Sequence, residues 1–407
     1  PPPPPPPPPP QKAKEEEKEG PPPRPVAYCA SPCDASAPAG SGVRCSGRGG
    51  CAQWRGYDFC SCTHTRDTKH LGLRCEVAVR ADAPCSEACS AHGRCVHGFC
   101  DCELGWTGAD CTTEGAMPPF LTRAALHASG LTAGDTAGDG GDGPLLGSCP
   151  AAPSLHLAYA REPARLKRLL ASVPETAQSR PLRCATCAVV SNAGILRRRE
   201  YGAEIDANEC VWRMNRAPTK GFERHVGART TLDFVNSFPH LRNLHVLPRL
   251  DTQLVHGMTI ELWEATVPRD GTPWAGFEKY MGWVDGHVKF TEDNPSHTVD
   301  VVDLAWMDRS WQAYWAYLAP FEPTYSSGRP SSGWHVSRLA LETCGKVTMY
   351  GFSMEADDFH YFDSAVQEKV VPQQRDPTYG YTHKFAREHE VFANWSRDLP
   401  ERFVLRQ

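Results

Sequence analysis

Thirteen of the 18 cysteines fall between Cys29 and Cys111, in the first third of a chain of 407 residues. Such density is characteristic of an oxidising compartment and of a disulfide framework standing in for a hydrophobic core. Thirteen is odd, and so are the remaining five. Either one bridge joins the two regions, or each region keeps an unpaired thiol. The tandem C-x-C pairs also suit zinc, but the six-cysteine spacing and the single His near each copy argue against a metal site.

The stretch "CSEACSAHGRCVHGFCDCELGWTGADC" carries its cysteines as C-x3-C-x5-C-x4-C-x-C-x8-C. With its "GWTGADC" ending it resembles an EGF-like domain. That resemblance implies the bridges Cys85–Cys95, Cys89–Cys100 and Cys102–Cys111. A looser copy precedes it, and the same register implies Cys45–Cys60 and Cys62–Cys75, with Cys51 paired to Cys29 or Cys33. Units this small cannot bury enough apolar surface to hold without their bridges. The expected organisation is a Pro-rich, charged stem (1–28), an EGF-like domain (29–80), a second (81–112), a flexible linker rich in Gly, Ala, Thr and Asp (113–148), and a globular domain (149–407). Ten prolines followed by "QKAKEEEKEG" build a rod and a solvated run, not a core.

The globular part alternates period-two and period-3.6 patterns. "CAVV" (187–190), "CVWRM" (210–214), "TLDFV" (231–235), "NLHVL" (243–247) and "KVTMYGF" read as strands. "REPARLKRLLASV", "DRSWQAYWAYLA" (308–319), "SSGWHVSRLALETC" (331–344) and "HKFAREHEVFANW" read as helices. Trp311, Trp315 and Leu318 share one helical face and belong to a core. Strands alternating with helices give an α/β fold with a mainly parallel, Rossmann-like sheet. The chain is 40% hydrophobic with net charge −5, which provides no drive toward nucleic acid. No apolar run reaches the roughly 18 residues of a membrane span.

Four segments of the globular part carry a more specific resemblance. "CAVV-N-G-L", "YGAEID", "RMNRAPTKGFE" and "VGARTT", within 187–230, resemble the large sialyl motif of eukaryotic sialyltransferases. "PSSGWHVSRLALETCGKVTMYGF" (330–352) is similar to the small motif. "HYFD" (360–363) resembles the third motif, and His383 with Glu388 the very small one. All four stand in the family's order, and the resemblance covers about Cys149 to the C-terminus. It implies a glycosyltransferase moving sialic acid, or a related ulosonic acid such as a deaminated sialic acid or Kdo, from a CMP-sugar to a hydroxyl of a glycan on glycoprotein or glycolipid, with inversion.

Each motif also has a physical reading. A strand ending in a small-residue turn lets a nucleotide approach the backbone. Asn192 offers an amide to ribose and phosphate, and Asn215 does so from the next strand. Either alone is more often a turn residue satisfying its own backbone. Ser331, Ser332 and Gly333 begin a helix whose open N–H groups suit a carboxylate or phosphate, or simply cap the helix. His360 and Tyr361 stand in the third motif, and the resemblance gives His360 a hydrogen bond to the departing phosphate. His383 resembles the catalytic base, and an imidazole titrates where a base for a sugar hydroxyl must. Glu388 is five positions on, off the helical face of His383, and fits a structural role; His389 lacks the motif register. A single leaving phosphate needs less charge neutralisation than a diphosphate, and "DVVD" (300–303) and "ADD" (356–358) are weak metal candidates, so no metal cofactor is expected.

The turn reads "SNAG" where the family usually has "GNSG", "TLDFVNSFP" replaces a His-rich run, and residues 236–329 show no acceptor pattern. The resemblance further implies Cys187–Cys344 and Cys149–Cys184 bridges, and Cys210, in the middle of a strand, is expected to be a buried free thiol. A chain starting at Pro1 fits a Golgi-lumenal enzyme whose membrane anchor lies upstream. Asn394-Trp395-Ser396 is an intact glycosylation sequon, set in a helical segment. The rival reading is a catalytically inactive, sialyltransferase-like protein that binds protein partners through its EGF-like domains.

Overall fold

The computed structural model describes residues 47–114 with short gaps, 120–124, 163–175, 183–235, 253–256, 285–321 except 298, 330–353, 360–362 and 383–407. The stem, Cys29, Cys33, Cys45, Cys149, "NLHVL" and "ADD" lie outside them, as do the side chains of Cys51 and Cys60.

Seven strands form one sheet: β1 Cys184–Val190, β2 Cys210–Met214, β3 Leu232–Val235, β4 Gln253–His256, β5 Val299–Val301, β6 Cys344–Tyr350 and β7 Phe403–Arg406. Their spatial order is β5-β4-β3-β2-β1-β6-β7, and every neighbouring pair is parallel. Helices α1 Pro163–Ser172, α2 Gly202–Asp206, α3 Glu223–Val226, α4 Leu304–Leu318, α5 Ser332–Thr343 and α6 Phe385–Asp398 accompany it. The sequence does not mark β4, β5 and β7, which are only three or four residues long and give no alternation to read.

A parallel sheet is covered on both faces, and the strand period of two decides which side chain faces which layer. Cys187, Val189, Trp212, Met214 and Phe234 pack with the aromatic side chains of α4, α5 and α6. Ala188, Val190, Val211 and Tyr350 pack on the opposite face against Leu196, Ile205 and Val226. Arg213, 1% exposed, reaches the carbonyls of Val226 (2.6 Å) and Arg229 (2.8 Å) and fastens the loop after α3 to β2.

The sulfurs of the second cysteine-rich unit pair as Cys85–Cys95, Cys89–Cys100 and Cys102–Cys111, and those of the first include Cys62–Cys75. In the sheet, Cys187 is bonded to Cys344, tying β1 to β6. Two expectations fail. Cys184 is bonded to Cys210, not to Cys149, and Cys210 is no free thiol. The reason is the lateral placement of β2 beside β1: Glu209 accepts a hydrogen bond from the Ala185 N–H and donates one to Thr186 Oγ1, bringing the first residue of β2 to a Cα distance of 6.1 Å from Cys184. Part of the segment expected as a linker packs on the sheet. Phe120, Leu121 and Thr122 are buried, the Leu121 N–H donates to the Val301 carbonyl (2.8 Å), and Phe120 bridges antiparallel to Val302.

Candidate active site

The chain winds outward from β1 to β5 on one side and returns to β6 and β7 on the other. The reversal between β1 and β6 opens a crevice at their C-terminal ends, the place where sheets of this kind bind ligands. Ser191 closes its floor. Its N–H donates to the Tyr350 carbonyl (3.0 Å), its hydroxyl donates to the Gly351 carbonyl (2.8 Å), and that hydroxyl accepts from the Ala193 N–H (3.2 Å). The departure to Ser in "SNAG" therefore pins the turn to β6. Gly351 has φ +75°, and a Cβ there would stand 2.6 Å from Leu196 Cγ and 2.8 Å from Ser191 Oγ, so the crossing tolerates only glycine.

Asn192 follows. Its amide nitrogen donates to the Met214 carbonyl at the end of β2 (3.3 Å), while its Oδ1 is buried with no hydrogen-bond partner among the described residues. A buried acceptor left open costs free energy unless a ligand completes it. The Asn192 carbonyl accepts from the Tyr361 N–H (2.9 Å), which brings the third motif onto the first turn. Tyr361 itself is 1% exposed, and its hydroxyl donates to the Pro218 carbonyl (2.7 Å). The sequence places Tyr361 among the donor-binding residues; here its hydroxyl is engaged by Pro218 and its ring packs against Phe222. Its neighbour His360 is half-buried and stacked on Phe362.

Asn215 and Arg216 both adopt left-handed backbone, with φ of +53° and +63°. Asn takes this readily and Arg does not, so the pair must be held from outside. The Asn215 N–H donates to the Phe234 carbonyl (2.9 Å), the Arg216 N–H donates to Asp233 Oδ1 (3.1 Å), and the Arg216 guanidinium lies 3.5 Å from Asp233 Oδ2. Burial pushes the Asp233 carboxyl up, against the pull of the Arg216 N–H and of the Arg216 and Arg213 charges. Sequence reasoning passed over Asp233, since it stands between apolar residues in β3.

Helix α5 begins beside the same crevice. A Cβ on Gly333 would lie 2.9 Å from the ring of Phe352, which follows β6, so glycine lets the first turn approach the end of that strand. Ser331 is the N-cap, and its hydroxyl accepts from the Trp334 N–H (3.1 Å). Its N–H and hydroxyl both donate to the Glu388 carboxylate, at 2.9 and 2.5 Å. Ser331 thus takes the capping role that the sequence offered beside a donor contact, and its N–H and hydroxyl engage α6. Ser332 remains, with a buried hydroxyl that has no partner among the described residues. Its N–H and that of Gly333 stand at the positive end of the helix dipole.

Glu388 is 1% exposed, and burial pushes its carboxyl up to about 7 against the two Ser331 hydrogen bonds. This clamp fixes where α6 starts, and His383 sits just before that start, half-buried. Beneath lies His335, fully buried, its Nδ1 2.8 Å from Ser310 Oγ; burial, then the charge of nearby His383, pushes it down to about 3. His389 packs against Phe352 and Phe392 and burial holds it down to about 4, a protonation-inert residue near neutral pH.

The turn at Ser191 and the first turn of α5 at Gly333 thus both pack on the Gly351–Phe352 junction, and the Tyr361 N–H to Asn192 carbonyl bond ties the segment of His360 to the same turn. Asp303 of "DVVD" accepts from the Trp306 N–H at the start of α4, and Asp300 is 7% exposed within β5, so both belong to the framework. The Asn394 sequon lies inside α6: Trp395 is in the core, Ser396 Oγ accepts from the Leu405 N–H, and Asn394 Oδ1 accepts from Arg397.

Residues 85–114 match a Teneurin-like EGF domain. The chain is 28% identical over 275 residues to mouse (Mus musculus) alpha-N-acetylgalactosaminide alpha-2,6-sialyltransferase 3, covering 62% of this chain and 85% of that protein. It is 31% identical over 185 residues to mouse CMP-N-acetylneuraminate-beta-galactosamide-alpha-2,3-sialyltransferase 2, covering 45% of this chain and 47% of the relative. A crystal structure of a mammalian sialyltransferase in complex with Gal-beta-1-3GalNAc-ortho-nitrophenol superposes with a TM-score of 0.40 at 18% identity, over 69% of this chain and 88% of that one. The match to the family model runs from residue 154 to residue 396, more than half of the chain and through every segment that lines the crevice, and the protein therefore belongs to glycosyltransferase family 29, the sialyltransferases.

Proposed function

We propose that the protein transfers sialic acid, or a related ulosonic acid, with inversion from a CMP-sugar to a hydroxyl of a glycan on glycoprotein or glycolipid. The observation that carries this reading is a pair of buried polar atoms without a partner among the described residues, Asn192 Oδ1 after β1 and Ser332 Oγ at the start of α5, whose neighbours Ser191 and Gly333 pack against Gly351 and Phe352. Asn192, with Asn215 across the ends of β1 and β2, takes the nucleotide. The first turn of α5, through Ser332 and Gly333, meets the donor's anionic groups. His383 removes the proton from the acceptor hydroxyl as its oxygen bonds to the anomeric carbon. The bond from that carbon to the phosphate oxygen breaks on the opposite side, and CMP leaves with the electron pair. His360 donates a hydrogen bond to the phosphate as its charge grows. The site works without a metal cofactor in this reading. The reaction is placed in the Golgi lumen, in keeping with the disulfides.

The test compares single-turnover transfer from CMP-sialic acid with CMP affinity by calorimetry. His383→Ala is expected to lose about 10²- to 10⁴-fold in turnover with CMP binding retained. His360→Ala weakens both, and Asn192→Ala acts mainly on affinity. EDTA leaves the rate unchanged. Full activity of His383→Ala with any CMP-sugar that the wild type uses would overturn the mechanism.

A further inference from the structure

The EGF-like unit is built into the transferase body. Asp101, in the strand Phe99–Cys102, inserts its carboxylate between α4 and α5. Arg338 of α5 donates to Asp101 Oδ1 at 2.7 Å, and the Tyr317 hydroxyl of α4 donates to Oδ2 at 2.5 Å. The Arg338 and Asp101 side chains are 6% and 13% exposed. Arg309 of α4 donates to the Gly108 carbonyl (2.8 Å) and the Cys100 carbonyl (2.9 Å) and lies over the Phe99 ring. Val96 and Phe99 belong to the same apolar cluster as Trp315, Trp334 and Trp395.

A tethered module would not leave the body's interior unfinished in its absence. Here it would: withdrawing the unit strips a buried guanidinium of one of its two carboxylates and a buried phenol of its acceptor. Burial alone would raise the Asp101 carboxyl, yet Arg338, Tyr317 and Arg94 hold it below its usual range. Arg338 stands on the same rigid helix as Ser332 and Gly333, six and five residues on. Trp334, one turn before Arg338, is wedged against Trp395 and Tyr317.

We propose that the EGF-like unit at residues 85–114 is a working part of the transferase and that Asp101 is a positioning residue for the donor site, acting through Arg338 on the register of α5. This rests on the reading that the first turn of α5 meets the donor, and the experiment separates the two. CMP affinity by calorimetry and single-turnover transfer are measured on the full chain for Asp101→Asn, Asp101→Glu, Arg338→Met, the Asp101→Asn/Arg338→Met double variant and Ser332→Ala, at a temperature well below each melting point. Asp101→Asn is expected to weaken CMP binding about tenfold, the double variant no further than Arg338→Met alone, and Asp101→Glu to recover most of the loss. A purely structural brace would lower the melting temperature and leave CMP affinity in place. That result, with Ser332→Ala weakened, overturns the role of Asp101. Unchanged CMP affinity in Ser332→Ala overturns the donor-site reading itself, and the proposal with it.

Discussion

From Cys85 to Cys111, three disulfides close short loops around Val96 and Phe99, the two large apolar side chains that the unit buries among the described residues. From Cys184 onward, five tryptophans among the described residues are almost fully buried, and Trp334 alone meets Tyr314, Tyr317, Phe392 and Trp395. A short chain cannot enclose a core and substitutes cross-links, while a long one can afford packing. The EGF-like unit then places its two apolar side chains in the larger core, so that cross-links hold its shape and packing holds its position.

The largest effect is expected from Trp334→Ala. Removing a ring with that many neighbours should cost about 3–5 kcal/mol, read as a fall in the urea midpoint. A loss within about 1 kcal/mol would mean that packing is not what holds the body. Next comes removal of Cys89 and Cys100 together as serines, at about 2–5 kcal/mol to the unit. Hydrogen exchange should then quicken across 93–102 and along α5 near Arg338, with β1 and β6 still protected. Exchange confined to the unit would show that the two regions are independent.

Acid titration sharpens the contrast inside the body. Glu388 keeps its proton to about pH 7 when folded, against an ordinary value of 4.5. Between those values the folded state binds the extra proton, so stability falls as pH rises, by about 3 kcal/mol in all. Glu388→Gln should flatten that slope in a melting-temperature series. His335 and His389, pushed down from 6.5 to about 3 and about 4, work in the opposite sense, with stability rising as pH climbs toward 6.5. The smallest effect belongs to the exposed Lys289–Asp293 pair, where Lys289→Ala should change stability by less than about 0.5 kcal/mol.

Much of this was legible because it is local or periodic. The alternation in "CAVV" and "CVWRM" assigns each side chain to a face of the sheet, the six-cysteine spacing carries the register of the EGF-like unit, and Ser331 opens a helix that a capping residue marks. The four motifs locate the crevice, since residues near its floor follow directly on strands that the pattern reveals. Tertiary structure alone decided the partners. Cys184 takes Cys210 because β2 lies beside β1; Ser331 takes Glu388 from 57 residues away; Asn215 and Arg216 are held in left-handed backbone by the Phe234 carbonyl and Asp233; and Asp101 meets Arg338 across 237 residues. Each of these pairs depends on where two distant segments come to rest, and a buried charge or thiol looks the same in the sequence whichever partner the fold brings to it.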